Sequence, residues 1–162
     1  MQWAIPSPSI ATNTMKRFAI AVCLVALAAS ARAQIAPGTW IKRGSTARMM
    51  MIVESAGSGL KITYQLIGAD GKPMSRNLMT VVTMLDGKEA AVLVDGKPSG
   101  ETMAIKRIDA SHTFTVVKMQ GKEFGTSKLE VSGDGRVLMV ENHTASDAGQ
   151  PAKVTTEYWD RQ

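Results

Sequence analysis

The chain has 162 residues, 44% hydrophobic and 20% charged, with a formal net charge of +5 and one cysteine, Cys23. A single cysteine leaves no disulfide within the chain, so a domain of this size has to be held by its core alone. The charge falls to +2 once residues 1–33 are set aside, because Lys16, Arg17 and Arg32 leave and no acid does. The remaining bases, such as Lys42–Arg43, Arg48, Lys61 and Lys106–Arg107, are scattered. With 5% aromatic residues there is neither the basic stripe nor the stacking platform that a nucleic-acid partner requires.

Residues 1–33 have the layout of a targeting segment. Lys16 and Arg17 form a positive start, residues 18–29 an apolar run, and Ala31-Arg32-Ala33 an Ala-x-Ala cleavage site before Gln34. The apolar run is too short to span a bilayer, which takes about 20 residues, so no stable membrane anchor is expected. Met15 opens the segment directly, and the reading places the start of translation there. Cys23 lies inside the apolar run rather than at the cleavage point, which argues against a lipoprotein. The expected division is an N-terminal extension and signal-peptide helix over 1–33, cleaved after Ala33, and one domain over 34–162 in an exported, secreted or periplasmic protein.

In chain order, residues 39–43 read as a short strand through Trp40, and residues 48–54 as a second. Residues 60–66 form the clearest strand, with Leu60, Ile62, Tyr64 and Leu66 alternating with Lys61, Thr63 and Gln65. Ala69-Asp70-Gly71-Lys72-Pro73 is a turn, since Asp-Gly accepts positive φ and proline resists strand continuation. A strand over 76–85 follows, apolar on both sides. Asp86-Gly87-Lys88 reads as the next turn, 89–94 as a strand and 95–100 as a wide loop. Strands over 102–108, 112–119, 122–132, 136–142 and 154–161 complete the series. Links this short exclude parallel crossovers. The sequence therefore predicts an all-β domain, a single antiparallel up-and-down β-barrel of about 8–10 strands.

The two ends of that series resemble a known group. Gly38-Thr39-Trp40 is similar to the Gly-x-Trp signature of the lipocalins and the wider calycins. Tyr158-Trp159-Asp160-Arg161 is similar to the ending of bacterial lipocalin-like domains and fatty-acid-binding proteins. The resemblance implies a lipocalin-like, small secreted bacterial β-barrel. It also implies a structural barrel-closing pair in which Arg161 packs across Trp40 at the closed end. Fatty-acid-binding proteins place an arginine two residues before the last-strand tyrosine, where this chain has Thr156, which argues against fatty-acid carriage by that mechanism.

No catalytic or metal constellation stands out. Asp109-Ala110-Ser111-His112 holds the residue types of a hydrolase triad, but contiguous residues cannot adopt a geometry that joins distant segments, so it reads as a turn. His112 and His143, the only histidines, make a poor metal site without further ligands. No enzyme activity, metal or cofactor is expected. Nine methionines fall in the mature domain, and flexible thioethers either fill a core or line an adaptable apolar pocket. Tyr64, Arg76, Met79, Met103 and Tyr158 are the candidate ligand-binding residues, with Lys106 and Arg107 as further polar groups on strands. Tyr64 and Tyr158 are placed on apolar faces, where a phenol can bury its ring and offer a hydrogen bond. The expected function is binding of a small apolar or amphipathic ligand without covalent chemistry. The alternative is a filled barrel serving as a structural or interaction module of the bacterial cell envelope.

Overall fold

A computed structural model describes residues 35–44, 48–146 and 151–162, and of residues 75–77 the backbone alone. The targeting segment expected over 1–33, with Met15, Cys23 and Ala33, lies outside the described residues. So does the side chain of Arg76.

Ten strands, β1(Gly38–Lys42), β2(Met49–Ala56), β3(Gly59–Ile67), β4(Pro73–Thr83), β5(Asp86–Val94), β6(Lys97–Arg107), β7(His112–Met119), β8(Lys122–Val131), β9(Val137–Thr144) and β10(Lys153–Arg161), follow one another along the chain. Each pairs antiparallel with the next, and β10 returns to β1, so the sheet is a closed up-and-down barrel. The expected all-β barrel is thus the fold, at the upper end of the strand count.

Three connections differ from the sequence expectation. Residues 95–100 form no wide loop. Asp95 and Gly96, at φ 49° and 78°, make a two-residue hairpin, and β6 begins at Lys97. Two consecutive positive φ values define the hairpin turn whose twist matches that of the strands. Pro98 is tolerated because pairing with β7 starts only at Glu101↔Met119, and a register shift interrupts β5 against β6 beside it. The reversal expected at residues 86–88 falls two residues earlier, at Met84–Leu85. There Leu85 takes φ 58°, its N–H donates to Thr83 Oγ1 at 3.0 Å, and its side chain is buried. Asp86 instead opens β5. Likewise β4 begins at Pro73, opposite Ile67, rather than at residue 76.

Strand alternation sorts side chains between interior and solvent. At one end of the barrel the interior is solid. Trp40 and Leu138 are completely buried in a cluster with Val53, Leu60, Leu85 and Val131, and Ile35 belongs to the same cluster while also lining the cavity. Burying an indole of about 200 Å² contributes roughly 5 kcal/mol at about 25 cal/mol per Å². At the other end, marked by the β5–β6 and β7–β8 hairpins, the interior is open.

Trp40 and Arg161 are direct partners across the β1–β10 ladder. The Arg161 guanidinium lies 5.7 Å from the indole centroid, and Nη2 donates to the Pro37 carbonyl at 2.9 Å. Gly38 makes room for this clasp, since a Cβ there would stand 3.1 Å from Arg161 Nε.

Candidate site in the barrel interior

Above the solid end lies a cavity of about 500 Å³. Its floor and walls are largely aliphatic and thioether groups: Ile62 on β3, Val81 on β4, Ile105 on β6, Leu129 on β8, Val140 on β9, and methionines from three strands. Met49, Met51, Met79 and Met103 all face it. Four unbranched, polarisable side chains let a pocket adapt to the outline of what it holds.

One wall is different. Period-two alternation from Trp40 brings Lys42 inward on β1, and the same alternation on β10 brings in Thr155, Glu157 and Trp159. Lys42 Nζ donates to Glu157 Oε1 at 2.6 Å, with both side chains about a quarter exposed. The same ammonium stands 6.0 Å from the Trp159 ring centroid. Tyr64, from β3, meets Trp159 edge-on, with centroids 5.8 Å apart and planes at 73°. Tyr64 is partly buried and forms part of the cavity wall. That burial, with a smaller contribution from the Glu157 carboxylate, pushes its phenol up to about 12. Tyr64 is therefore a neutral hydrogen-bond donor at any ordinary pH.

Toward the mouth the lining becomes polar. Ser127 donates to Asn142 Oδ1 at 2.6 Å across β8 and β9, and Thr126 and Thr144 lie beside them. Glu101 faces the same opening from β6, two and four residues before Met103 and Ile105 on the inner side. Desolvation alone raises its carboxyl above the usual range. His143, at the rim, shares a 2.6 Å contact with Glu141 through Nε2.

Tyr64, Met79 and Met103 thus come together around one cavity. Tyr158 does not. It is 42% exposed on the outer face, where Arg43 stacks over its ring at 5.7 Å while forking onto Asp160 at 2.7 and 2.6 Å. The two faces of β10 read Val154-Thr156-Tyr158 and Thr155-Glu157-Trp159, and the glutamate made the inner one look like the wetted face. Lys106 and Arg107 are exposed and do not line the cavity either. Lys42, Glu101, Glu157 and Trp159 were missed. For Lys42 and Glu157 the signal was available, since each stands two residues from an indole that a barrel would bury.

The Asp109–His112 segment is the β6–β7 turn. Asp109 Oδ1 accepts from the backbone N–H of Ser111 and His112 at 2.8 and 2.9 Å, and His112 Nδ1 lies 2.9 Å away. The Ser111 N–H bond first, then the His112 ring contact, hold the Asp109 carboxyl down at about 2. The group is exposed, is not part of the cavity lining, and its hydrogen bonds shape the turn. Among the described residues no three His, Cys, Asp or Glu side chains converge as metal ligands would.

No protein-family profile matches the chain, and no solved structure does. Over 88 residues the chain is 34% identical to the large ribosomal subunit protein uL13 of Sulfurovum sp. (strain NBC37-1). That stretch is 50% of this chain, which spans only 59% of the length of the ribosomal protein.

Proposed function

We propose that this is an exported, lipocalin-like binding protein that holds one small apolar or amphipathic molecule inside its barrel and does no covalent chemistry on it. The observation that carries the reading is the cavity itself. At about 500 Å³ it falls within the range of small-molecule sites, roughly 300–1,000 Å³, and it has their usual make-up of apolar walls with a few placed polar groups. Tyr64 as donor and the Lys42–Glu157 pair provide orientation, and the methionines provide fit. Export rests on the composition of residues 16–33, and the lipocalin-like assignment on Gly38-Thr39-Trp40 together with the Trp40–Arg161 clasp.

Native mass spectrometry of protein purified without denaturant should find a population heavier than the bare chain, and N-phenyl-1-naphthylamine, an uncharged probe, should brighten on binding and be displaced by the released ligand. Bare protein together with no response from the probe would sink the proposal.

A second reading is favoured by one feature of the outer wall. Ile108, Phe114 and Met139 line an external depression of about 410 Å³ across β7, β8 and β9, with Ile108 58% exposed. Such an apolar patch suits a protein partner in the cell envelope. A ribosomal role drawn from the partial likeness to uL13 has less support. Bases such as Lys42, Arg43, Lys61, Lys88, Lys118 and Lys128 are already paired with acids, whereas an RNA site needs cations turned toward phosphate.

A further inference from the structure

The charges that face the cavity do not cancel. Lys42 and Glu157 neutralise each other at 2.6 Å, and the other basic side chain at the rim, His143, is held by Glu141. Glu101 is different. Among the described residues its carboxylate has no hydrogen bond and no ion pair, and burial is the one influence acting on it. Glu101 is part-exposed at the mouth, so water meets part of its carboxylate, and a cation arriving from outside is the partner that the cavity lining does not supply.

A carboxylate-headed ligand is the wrong partner for this arrangement. To find a cation inside, it would have to displace Glu157 from Lys42, and with its head at the mouth it would face Glu101. A head that carries protons meets no such conflict. We infer that the cavity selects amphipaths with a cationic or hydrogen-bond-donating head, an organic ammonium foremost, and that Glu101 is the residue that sets this preference. The inference rests on the reading of the barrel as a small-molecule binder and adds the ligand class. Geometry supplies the pose. Glu101, Met103 and Ile105 are successive inward residues of β6, spanning about 13 Å at roughly 3.3 Å per residue. The head therefore sits at the mouth, and an alkyl tail runs down past the methionines to the aliphatic floor.

The test is calorimetric titration of the full chain at pH 8 with decylammonium, decanol and decanoate, each below its micelle concentration. The expected order has decylammonium at least about tenfold tighter than decanoate, with decanol between, tenfold being the effect of one modest charge contact. The chain is net basic, so non-specific attraction would favour decanoate and cannot imitate this order. Glu101→Gln should weaken decylammonium about tenfold, strengthen decanoate and leave decanol unchanged. Decanoate binding as tightly as the amine, or an unaltered amine-to-carboxylate ratio in the variant, overturns the inference while leaving the cavity a binding site. Failure of all three probes to bind overturns the binding reading and this inference with it. The wild-type ratio decides the matter even if the variant does not fold.

Discussion

The barrel has two seams of unlike construction. β1 is only five residues long, yet three of them pair with β10. The Arg43 N–H donates to the Tyr158 carbonyl at 2.8 Å and the Gln162 N–H to Thr39 at 2.9 Å. Side chains cross the same line at Trp40, which lies under Arg161, at Lys42, which reaches Glu157 and the Trp159 ring, and at Arg43, which reaches Asp160 and the Tyr158 ring. β4 and β5, eleven and nine residues long, share among the described residues only the pairs Thr80↔Leu93 and Val81↔Val92. Val81 and Val92 are almost fully buried there, and Val82 and Met84 lie exposed on the outer side. One seam is latched by polar and aromatic groups that fit in a single register. Among the described residues, the other is held by apolar contact, which is not directional. The seam that joins the ends of the barrel has to specify its register over a large separation in sequence, whereas a hairpin inherits register from its turn.

If the latch is what closes the barrel, the largest effect belongs to its centre. Trp40→Ala should cost about 3–5 kcal/mol in urea unfolding, the usual penalty for deleting a large core ring. Val92→Ala at the other seam should cost about 2 kcal/mol or less. Equal losses at the two positions would remove the distinction between the seams.

Tyr64 tests the inner wall of the latched side through pH. Its folded value of about 12 stands above the 10.0 of an ordinary phenol, so the folded state holds a proton that the unfolded chain gives up. Stability from this group is complete below pH 10 and is lost as pH rises toward 12, by up to about 2.7 kcal/mol at 1.36 kcal/mol per unit. Guanidinium unfolding of wild type and Tyr64→Phe at pH 8 and pH 11.5 measures it. The alkaline loss should shrink in the variant, and an undiminished loss would mean that the phenol is not buried in the wall. At the acidic end the exposed β6–β7 turn behaves oppositely. The Asp109 carboxyl, at about 2 against an ordinary 3.8, supports the fold above pH 4 and ceases to as pH falls through 2, so Asp109→Asn should flatten a small loss of stability in that window.

How far the sequence reveals this molecule follows from which physical signals are local. Alternation in residues 60–66 and the Asp-Gly turn at residues 70–71 are local, and with the short links between apolar runs they point to the single antiparallel sheet. Leu85 could not be read, because a bulky residue at positive φ is chosen by the burial around it and not by its own preference. The hairpin at Asp95–Gly96 was legible in kind, but Pro98 and Gly100 suggested a longer loop than a partly unpaired strand start requires. In the cavity, Tyr64 follows from apolar alternation, and Met79 and Met103 from the expectation that flexible thioethers line an adaptable pocket. Glu101 and the Lys42–Glu157 pair do not, since an inward charge looks like an outward one until the strand across from it is known. Tyr158 was misplaced for the same reason in reverse.

The finest point of the latch is the missing side chain at Gly38. A Cβ there would lie 3.1 Å from Arg161 Nε and 3.3 Å from Nη2, tighter than ordinary contact but against the far end of a flexible side chain. Gly38→Ala should therefore push the guanidinium off the indole instead of deforming the sheet, and cost about 1 kcal/mol, the size of a partly exposed cation–π contact. Arg161→Ala removes the same contact by another route, so the two changes should not add. In the Arg161→Ala background the alanine meets no guanidinium, and what it still costs measures the backbone at residue 38 alone. A coupling of about 0.5–1 kcal/mol in this double-mutant cycle, read from urea midpoints at constant m, is expected for residues in contact. Additive losses would mean that Gly38 serves its own backbone and that the guanidinium lies over Trp40 without needing the space that glycine leaves.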